Sequence, residues 1–393
     1  MTHTLDVAIV GAGPFGLSLA SHFGHGATAR VFGDPMQTWR TKMPPDMLLR
    51  SSWNETSLAS PDGAGSIDAW AESTGTPRQE PIPLGEFLRY ASWFLERLVP
   101  DHDPSAVASV ARVGSRFRVE TAAGGVVETR SVVVAVGVTP FSYAPPPFAG
   151  EVGDRVAFAI DQQRSFDHLA GRRILVIGAG QAGLESAGLA ARSGADVELL
   201  ARSGVNWFAD REPHNPRGLV GRQLYRLAYP AVGYGPPPLN RLVLYPDLFA
   251  ALPRRFRESL TKRLLRPGGS PWVRSLVEGK VRITEGRRVV SFVRHADRLE
   301  IGLDDDSTRN ADQVLLATSY RFSLDRLPFI DPKLQHEVAL DGSFPRLDQS
   351  FQSTARGLFF VGYPAEGRFG PLSRFVLGTG FTSRRVRAAF DRS

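Results

Sequence analysis

The chain has 393 residues, 42% of them hydrophobic and 22% charged, which excludes a disordered polymer and leaves length for two or three cores. Basic residues outnumber acidic ones by 47 to 40, a net charge of +7 that favours anionic ligands, yet they are spread along the whole chain without a nucleic-acid module, so nucleic acid is not an expected partner. With no cysteine, a redox-active disulfide, a thiol-tethered cofactor and a Cys-ligated metal are all excluded.

The first strand starts by Leu5, leaving no room for a charged and apolar leader, so the cytoplasm is the expected compartment. It runs into IVGAGPFGLSLA at Ile9–Ala20, an apolar strand, a glycine-rich turn and an apolar helix pattern. In this fingerprint Gly11 makes the turn, Gly13 lets backbone approach a diphosphate and Gly16 packs helix on strand; Pro14 opens a helix whose N-terminus faces the anion. ARVFG (Ala29–Gly33) reads as the second strand, alternation over Val107–Arg130 as a β-meander, and VVVAVG (Val132–Gly137) as a buried strand. The uncharged run Ser131–Gly150 is broken by Pro140, Pro145, Pro146 and Pro147, and reads as strand and loop rather than a membrane span.

A second fingerprint, VIGAGQAGLESA at Val176–Ala187, places Gly178, Gly180, Gln181 and Gly183 in the same strand–turn–helix context, with Gly178 lying 167 residues after Gly11. Two such copies build one chain for two dinucleotides. DVELLAR (Asp196–Arg202) is the strand after it, and Arg202 and Ser203 then occupy the place where a 2′-phosphate would lie. No acid stands there to repel the phosphate, and a guanidinium offers it a planar fork, so NADPH is expected over NADH.

The segment Asn206–Lys280 has no counterpart in the first half. Its WFADREPHN stretch contains Arg211, His214 and Asn215, with His214 a candidate substrate contact. Within Asp247–Arg266, Leu248, Phe249, Leu252, Phe256, Leu260 and Leu264 recur at helical spacing among basic residues, and Pro253 signals a kink or a helix start. Such a helix could lie on an anionic membrane. A cover over the substrate cleft, or a subunit contact in a homo-oligomer, is the preferred expectation. Val281–Leu303 then reads as a second meander and VLLATSY (Val314–Tyr320) as a closing strand.

This order resembles the two-dinucleotide-binding-domain flavoproteins, and within them the class B flavin-dependent monooxygenases. GPFGLSLA (Gly13–Ala20) and GAGQAGLE (Gly178–Glu185) are most similar to the N-hydroxylating branch, and ATSY (Ala317–Tyr320) is similar to that family's ATGY, with Ser319 in place of its glycine. FAIDQQRSFDH (Phe158–His168) lacks the Gly and His spacing of the Baeyer–Villiger signature, which disfavours lactone formation. The resemblance implies an α/β fold of two Rossmann-like domains, the NADP domain inserted into a discontinuous FAD domain. Residues 1–150 and 320–393 would hold FAD, and 151–319 NADP, with a helical insertion at 206–280. The strand and helix that return to the FAD domain would lie in Gly357–Gly380.

The same resemblance assigns expected roles. Gly11, Gly13, Pro14 and Gly16 would hold the FAD diphosphate; Trp39 and Arg40 would run along the flavin; Val107 would meet the adenine through backbone; Gly137, Ser319 and Gly362 would border the cofactors. The family's ribose-binding acid falls at Gly33, leaving Asp34 to serve after a small register change, and its GD motif reads Gly362-Tyr363. Met43–Ser57 would pass beside the flavin ring, with Arg50, Ser52, Trp53 and Asn54 as catalytic candidates, Asn54 as an amide donor to a flavin C4a-peroxide. Phe369 and Arg374 would close the same cavity. The implied activity is an FAD-dependent, NADPH-consuming monooxygenase that passes one atom of O2 to nitrogen or sulfur of a small substrate. The cofactor carries that chemistry, so no acid–base triad or metal cluster is required. Two alternatives stay open: a flavin dehydrogenase or reductase without oxygen insertion, and a nucleotide-binding sensor or scaffold suggested by the departures at Gly33, Ser319 and Tyr363.

Overall fold

Runs of Val, Ile and Ala without polar alternation demand strands covered on both faces, and the sequence supplies one at the head of each half. The computed structural model describes residues 4–23, 28–99, 101–162, 165–208 and 240–391; the candidates Arg211, His214 and Asn215 lie outside them. In the first sheet the strands β1 (Thr4–Val10), β2 (Ala29–Phe32), β3 (His102–Asp103), β4 (Val107–Val113), β5 (Arg116–Thr121) and β6 (Val126–Val134) run in the order β3-β2-β1-β6-β5-β4. Here β1, β2, β3 and β6 are parallel, while β4, β5 and β6 form the expected antiparallel meander.

The second sheet takes β7 (Val156–Phe158), β8 (Arg173–Ile177), β9 (Asp196–Ala201), β10 (Arg282–Glu285) and β14 (Gln313–Leu316) in the order β10-β9-β8-β14-β7, parallel throughout. Between its last strands sits a small antiparallel sheet of β11 (Val289–Arg294), β12 (Leu299–Leu303) and β13 (Thr308–Ala311). A hairpin of β15 (Leu340–Asp341) and β16 (Phe344–Pro345) follows, and then β17 (Leu358–Phe360) returns to the first sheet, parallel to β6.

Two expectations are adjusted, and the choice left open at Pro253 is decided. The meander's last strand and the buried strand at Val132 are one strand, β6, whose first half pairs β5 and whose second half pairs β17 along the same edge. In the second half, Arg282–Glu285 joins the parallel sheet beside β9, so the antiparallel part runs from Val289 to Ala311. Pro253 starts a helix rather than kinking one: Pro246–Ala251 ends, and Arg254–Leu264 begins with Pro253 as its N-cap.

Each sheet has its own core, one around Val7, Ile9, Val31 and Val132, the other around Val176, Leu199 and Leu315. Ion pairs from Lys42 to Asp161 and from Arg192 to Asp46, at 2.9 Å for the latter, tie the first lobe's loops to the second lobe. At each fingerprint the helix crosses its strand so closely that a side chain cannot enter. A Cβ on Gly16 would lie 1.8 Å from the Gly11 carbonyl oxygen, and one on Gly183 would lie 1.9 Å from that of Gly178. Gly16→Ala should therefore lower stability by about 1–3 kcal/mol through forced overpacking. Gly13→Ala, with nothing within 4 Å of its Cβ position, should change it by less than about 0.5 kcal/mol. Chemical denaturation of the two apo variants separates these outcomes.

Candidate functional site

The first candidate site lies at the C-terminal edge of β1 and β6, where the strand order reverses with β2 on one side of β1 and β6 on the other, the usual ligand position in such sheets. Gly11 turns there with φ +113°, and a Cβ would lie 2.5 Å from the Ala135 carbonyl oxygen. Gly13 is the N-cap of the Pro14–Ser21 helix, no side chain caps it, and the space beside its Cα is open. Closed positions at Gly11 and Gly16 with an open one at Gly13 form a cradle that admits a diphosphate onto uncapped backbone N–H groups, so the residues fit a dinucleotide.

The second lobe repeats the arrangement. Gly178 has φ +113°, a Cβ there would lie 2.3 Å from the Ala317 carbonyl oxygen, and Gly180 is the uncapped N-cap of the Gln181–Arg192 helix. Here the neighbour is closer: the Cβ position of Gly180 is 3.8 Å from the Pro267 Cβ. Gln181 fastens the insertion to this turn by accepting the Ser270 backbone N–H on Oε1 at 2.7 Å. Arg202 and Ser203 follow β9 directly and are exposed; Val205 donates its N–H to Glu285 Oε1 at 2.6 Å, which pins their loop to β10.

A cavity of about 1150 Å³ extends from this second cradle to the returning C-terminal segment. Gly178, Gln181 and Arg202 are among its lining residues, together with Tyr320, Tyr363 and Arg374. Tyr363 is held among Phe141, Phe344 and Tyr320, donates its hydroxyl to the Tyr320 carbonyl at 3.0 Å, and has its phenol pushed up to about 12 by burial. The Arg374 guanidinium lies 4.6 Å over the Tyr363 ring and forms a two-point ion pair with buried Glu366. The Arg254–Leu264 helix covers one side, with Arg254, Glu258 and Lys262 facing the cavity.

The sequence-derived candidates fall in several places. Gly362, at φ +71°, sits against the Phe15 ring, and Gly137, at φ +70°, follows β6. Ser319 also has a positive φ, +71°, a conformation that suits the glycine of ATGY and strains a serine; it lies in the cavity wall. Gly33 turns with φ +115°, which accounts for glycine where an acid is usual, and Asp34 pairs with the Arg40 guanidinium. Trp39 packs edge-on to Phe87, and Val107 opens β4, half-buried.

Of the Met43–Ser57 candidates, none lines the large cavity. Trp53 is buried and donates its indole N–H to Asp68 Oδ1 at 2.6 Å; Asn54 is exposed; the Arg50 guanidinium lies 3.9 Å over the Phe208 ring. The Ser52 hydroxyl is buried without a hydrogen-bond partner among the described residues. Sequence reading named Arg254 and Lys262 as basic residues of a helix expected to cover the cleft, and both line the cavity; it did not single out Glu258, whose spacing of four from each marks the same helix edge. It also missed Glu366 and Asp341, which no local pattern distinguishes.

Glu185, on the fingerprint helix, is 6% exposed. Burial, with Asp46 facing it, pushes its carboxyl up to about 7 from an ordinary 4.5, opposed by a hydrogen bond from Gln181. The folded state thus favours the protonated acid. Its contribution is complete below about pH 4.5 and is lost as pH rises through about 7, an amount near 3 kcal/mol from the 1.36 kcal/mol per pK unit. Glu185→Gln should therefore melt higher than the parent at pH 8, and the gap should close toward pH 5. A pH series of urea titrations checks this.

Residues 8–216 match the pyridine nucleotide-disulphide oxidoreductase family, more than half of the chain. No curated protein matches the sequence. Among solved structures, the ornithine N-hydroxylase of Kutzneria sp. 744 is 17% identical over 99% of both chains with a TM-score of 0.75. The ornithine hydroxylase of Pseudomonas aeruginosa gives the same values. The bacillithiol disulfide reductase of Staphylococcus aureus is 14% identical over 99% of this chain and 98% of its own, with a TM-score of 0.67. At these identities the likeness is one of fold, the two-lobed α/β architecture described above. The family match goes further: this oxidoreductase chain, although it carries no cysteine, belongs to the pyridine nucleotide-disulphide oxidoreductases.

Proposed function

We propose that the protein is an FAD-dependent, NADPH-consuming monooxygenase that transfers one oxygen atom of O2 to nitrogen or sulfur of a small organic substrate. The observation that carries the reading is the pairing of two open glycine cradles with one large cavity that joins the second cradle to the segment returning to the first lobe. The absence of cysteine removes the dithiol route for electrons. The FAD and NADP+ bound to the Kutzneria hydroxylase support the choice of cofactors. The pairing of β17 with β6 supports a flavin domain made of residues 1–150 and 320–393 around a nicotinamide domain at 151–319.

When bound, the flavin would accept hydride and activate dioxygen, chemistry that belongs to the cofactor. The chain's own part is to bind, orient and enclose. Gly11, Gly13, Pro14 and Gly16 would seat the FAD diphosphate, and Gly178, Gly180, Gln181 and Gly183 that of NADPH. Arg202 and Ser203 would take the 2′-phosphate. The ring cluster around Tyr363, braced by the Arg374–Glu366 pair, would form a rigid apolar wall that keeps water from the reacting centre. Ser52 is the member of the Met43–Ser57 loop with an unengaged buried hydroxyl to offer.

FAD-loaded protein given NADPH and a panel of amines and thioethers should consume O2 and yield an oxygenated product. Stoichiometric hydrogen peroxide without such a product would favour the reductase reading, and failure of NADPH to bleach the flavin would favour a sensor. Arg202→Gln should weaken NADPH binding about 10- to 100-fold, as expected for losing a charged hydrogen-bonding group, with little change for NADH. Equilibrium titration of both nucleotides reads that difference.

A further inference from the structure

We infer that the Arg254–Leu264 helix of the insertion contributes to nucleotide recognition: its Lys262, with Arg288 from the turn between β10 and β11, completes a phosphomonoester subsite around Arg202. The inference rests on the NADPH reading above and extends it to two elements outside the fingerprint.

Most cations in the cavity are already engaged. Arg257 is 8% exposed and fully occupied, donating to Gly367 O and Leu252 O at 2.9 Å each and to the Asp341 carboxylate. Arg254 faces Glu258 at 3.6 Å, Arg287 pairs with Asp305 at 2.6 Å, and Arg374 pairs with Glu366. The Arg321 guanidinium lies 3.5 Å over the Tyr143 ring. Arg202, Lys262 and Arg288 remain, all exposed, all lining the same cavity, and none with a carboxylate within ion-pair distance among the described residues.

Backbone contacts set the carriers of Arg202 and Arg288 side by side, and they hold the segment that follows the Lys262 helix against the same fingerprint turn. Arg287 donates its N–H to Ala201 O at 3.2 Å, which sets the β10–β11 turn beside the residue that precedes Arg202. Arg288 is held by its own backbone, its N–H bonded to Asp304 Oδ1 at 3.1 Å, so the guanidinium is left for a ligand. The helix carrying Lys262 descends onto the fingerprint, where Pro267 meets Gly180. The loop after Arg202 clasps that descent: Asn206 Nδ2 donates to Pro267 O at 3.2 Å, Gly269 N to Asn206 O at 2.9 Å, and Phe208 N to Gly269 O at 2.9 Å. Nearby carboxylates are committed, Glu285 to the Val205 N–H and Glu258 to Arg254. Three uncommitted cations from three elements match a dianion of about −2, and a phosphate held by Lys262 would draw the insertion helix onto the cofactor.

The test uses FAD-loaded protein and calorimetric titration with 2′,5′-ADP, which carries the 2′-phosphate, and with 5′-ADP, which lacks it. Lys262→Gln and Arg288→Gln should each reduce the preference for 2′,5′-ADP about tenfold or more while 5′-ADP affinity and flavin content stay unchanged. Arg263→Gln, an exposed neighbour on the same helix that does not line the cavity, should leave the preference intact. A Lys262→Gln variant that keeps the parent's preference, or that weakens both nucleotides equally, overturns the inference while an Arg202→Gln effect would leave the NADPH reading standing. A parent protein with no preference overturns both. Inorganic phosphate that still binds to NADP+-saturated protein, and loses that binding in Lys262→Gln, would assign the three cations to a phosphorylated substrate and likewise overturn it.

Discussion

The architecture depends on two points where a helix and a strand touch with no side chain between them. At Gly16 over Gly11, and at Gly183 over Gly178, the gap is smaller than a methyl group, so both turns can exist only in one backbone shape. That shape leaves the middle glycine open and the first amides of the helix uncapped, which makes each turn receptive to an anion. The sheets, the returning strand β17 and the cavity are arranged around these two fixed points. The first cradle faces open space, whereas the second is approached by Pro267 of the insertion, and that asymmetry distinguishes two lobes that otherwise repeat one plan.

The parts legible in the sequence are those governed by local rules. Glycine spacing announced both cradles, and strand patterning announced most of both sheets. Arg202 could be placed because the end of a strand after a fingerprint has a fixed position in the fold. What remained hidden is tertiary. Nothing local says that Glu366 will meet Arg374 or that Asp341 will bind Arg257. The boundary between meander and parallel sheet near Arg282 was also invisible, since a four-residue strand of mixed character reads alike in either setting. Trp53 illustrates the opposite difficulty. It stands in a loop that family resemblance brings to the flavin, yet its indole is committed to Asp68.

The cavity's charge is organised by pairing. Most of its arginines are neutralised by a carboxylate or stacked on a ring, so the excess of basic residues in the composition does not translate into a uniformly positive pocket. Net charge alone suits anionic ligands; the distribution of partners leaves Arg202, Lys262 and Arg288 as the cavity cations without a carboxylate partner among the described residues. Phe344 and Tyr363 line the same cavity, with the buried Phe141 ring packed against Tyr363.

Gln181 serves two neighbours at once, the insertion through Ser270 and the buried acid Glu185 one turn along its own helix. The first turn of the second cradle, the added helical segment and the buried acid therefore share a single amide. A relative that had lost the segment would leave that amide half-served beside an acid, so inheritance of a glutamine here and of the segment should go together, and neither could be trimmed from the protein without refitting the other.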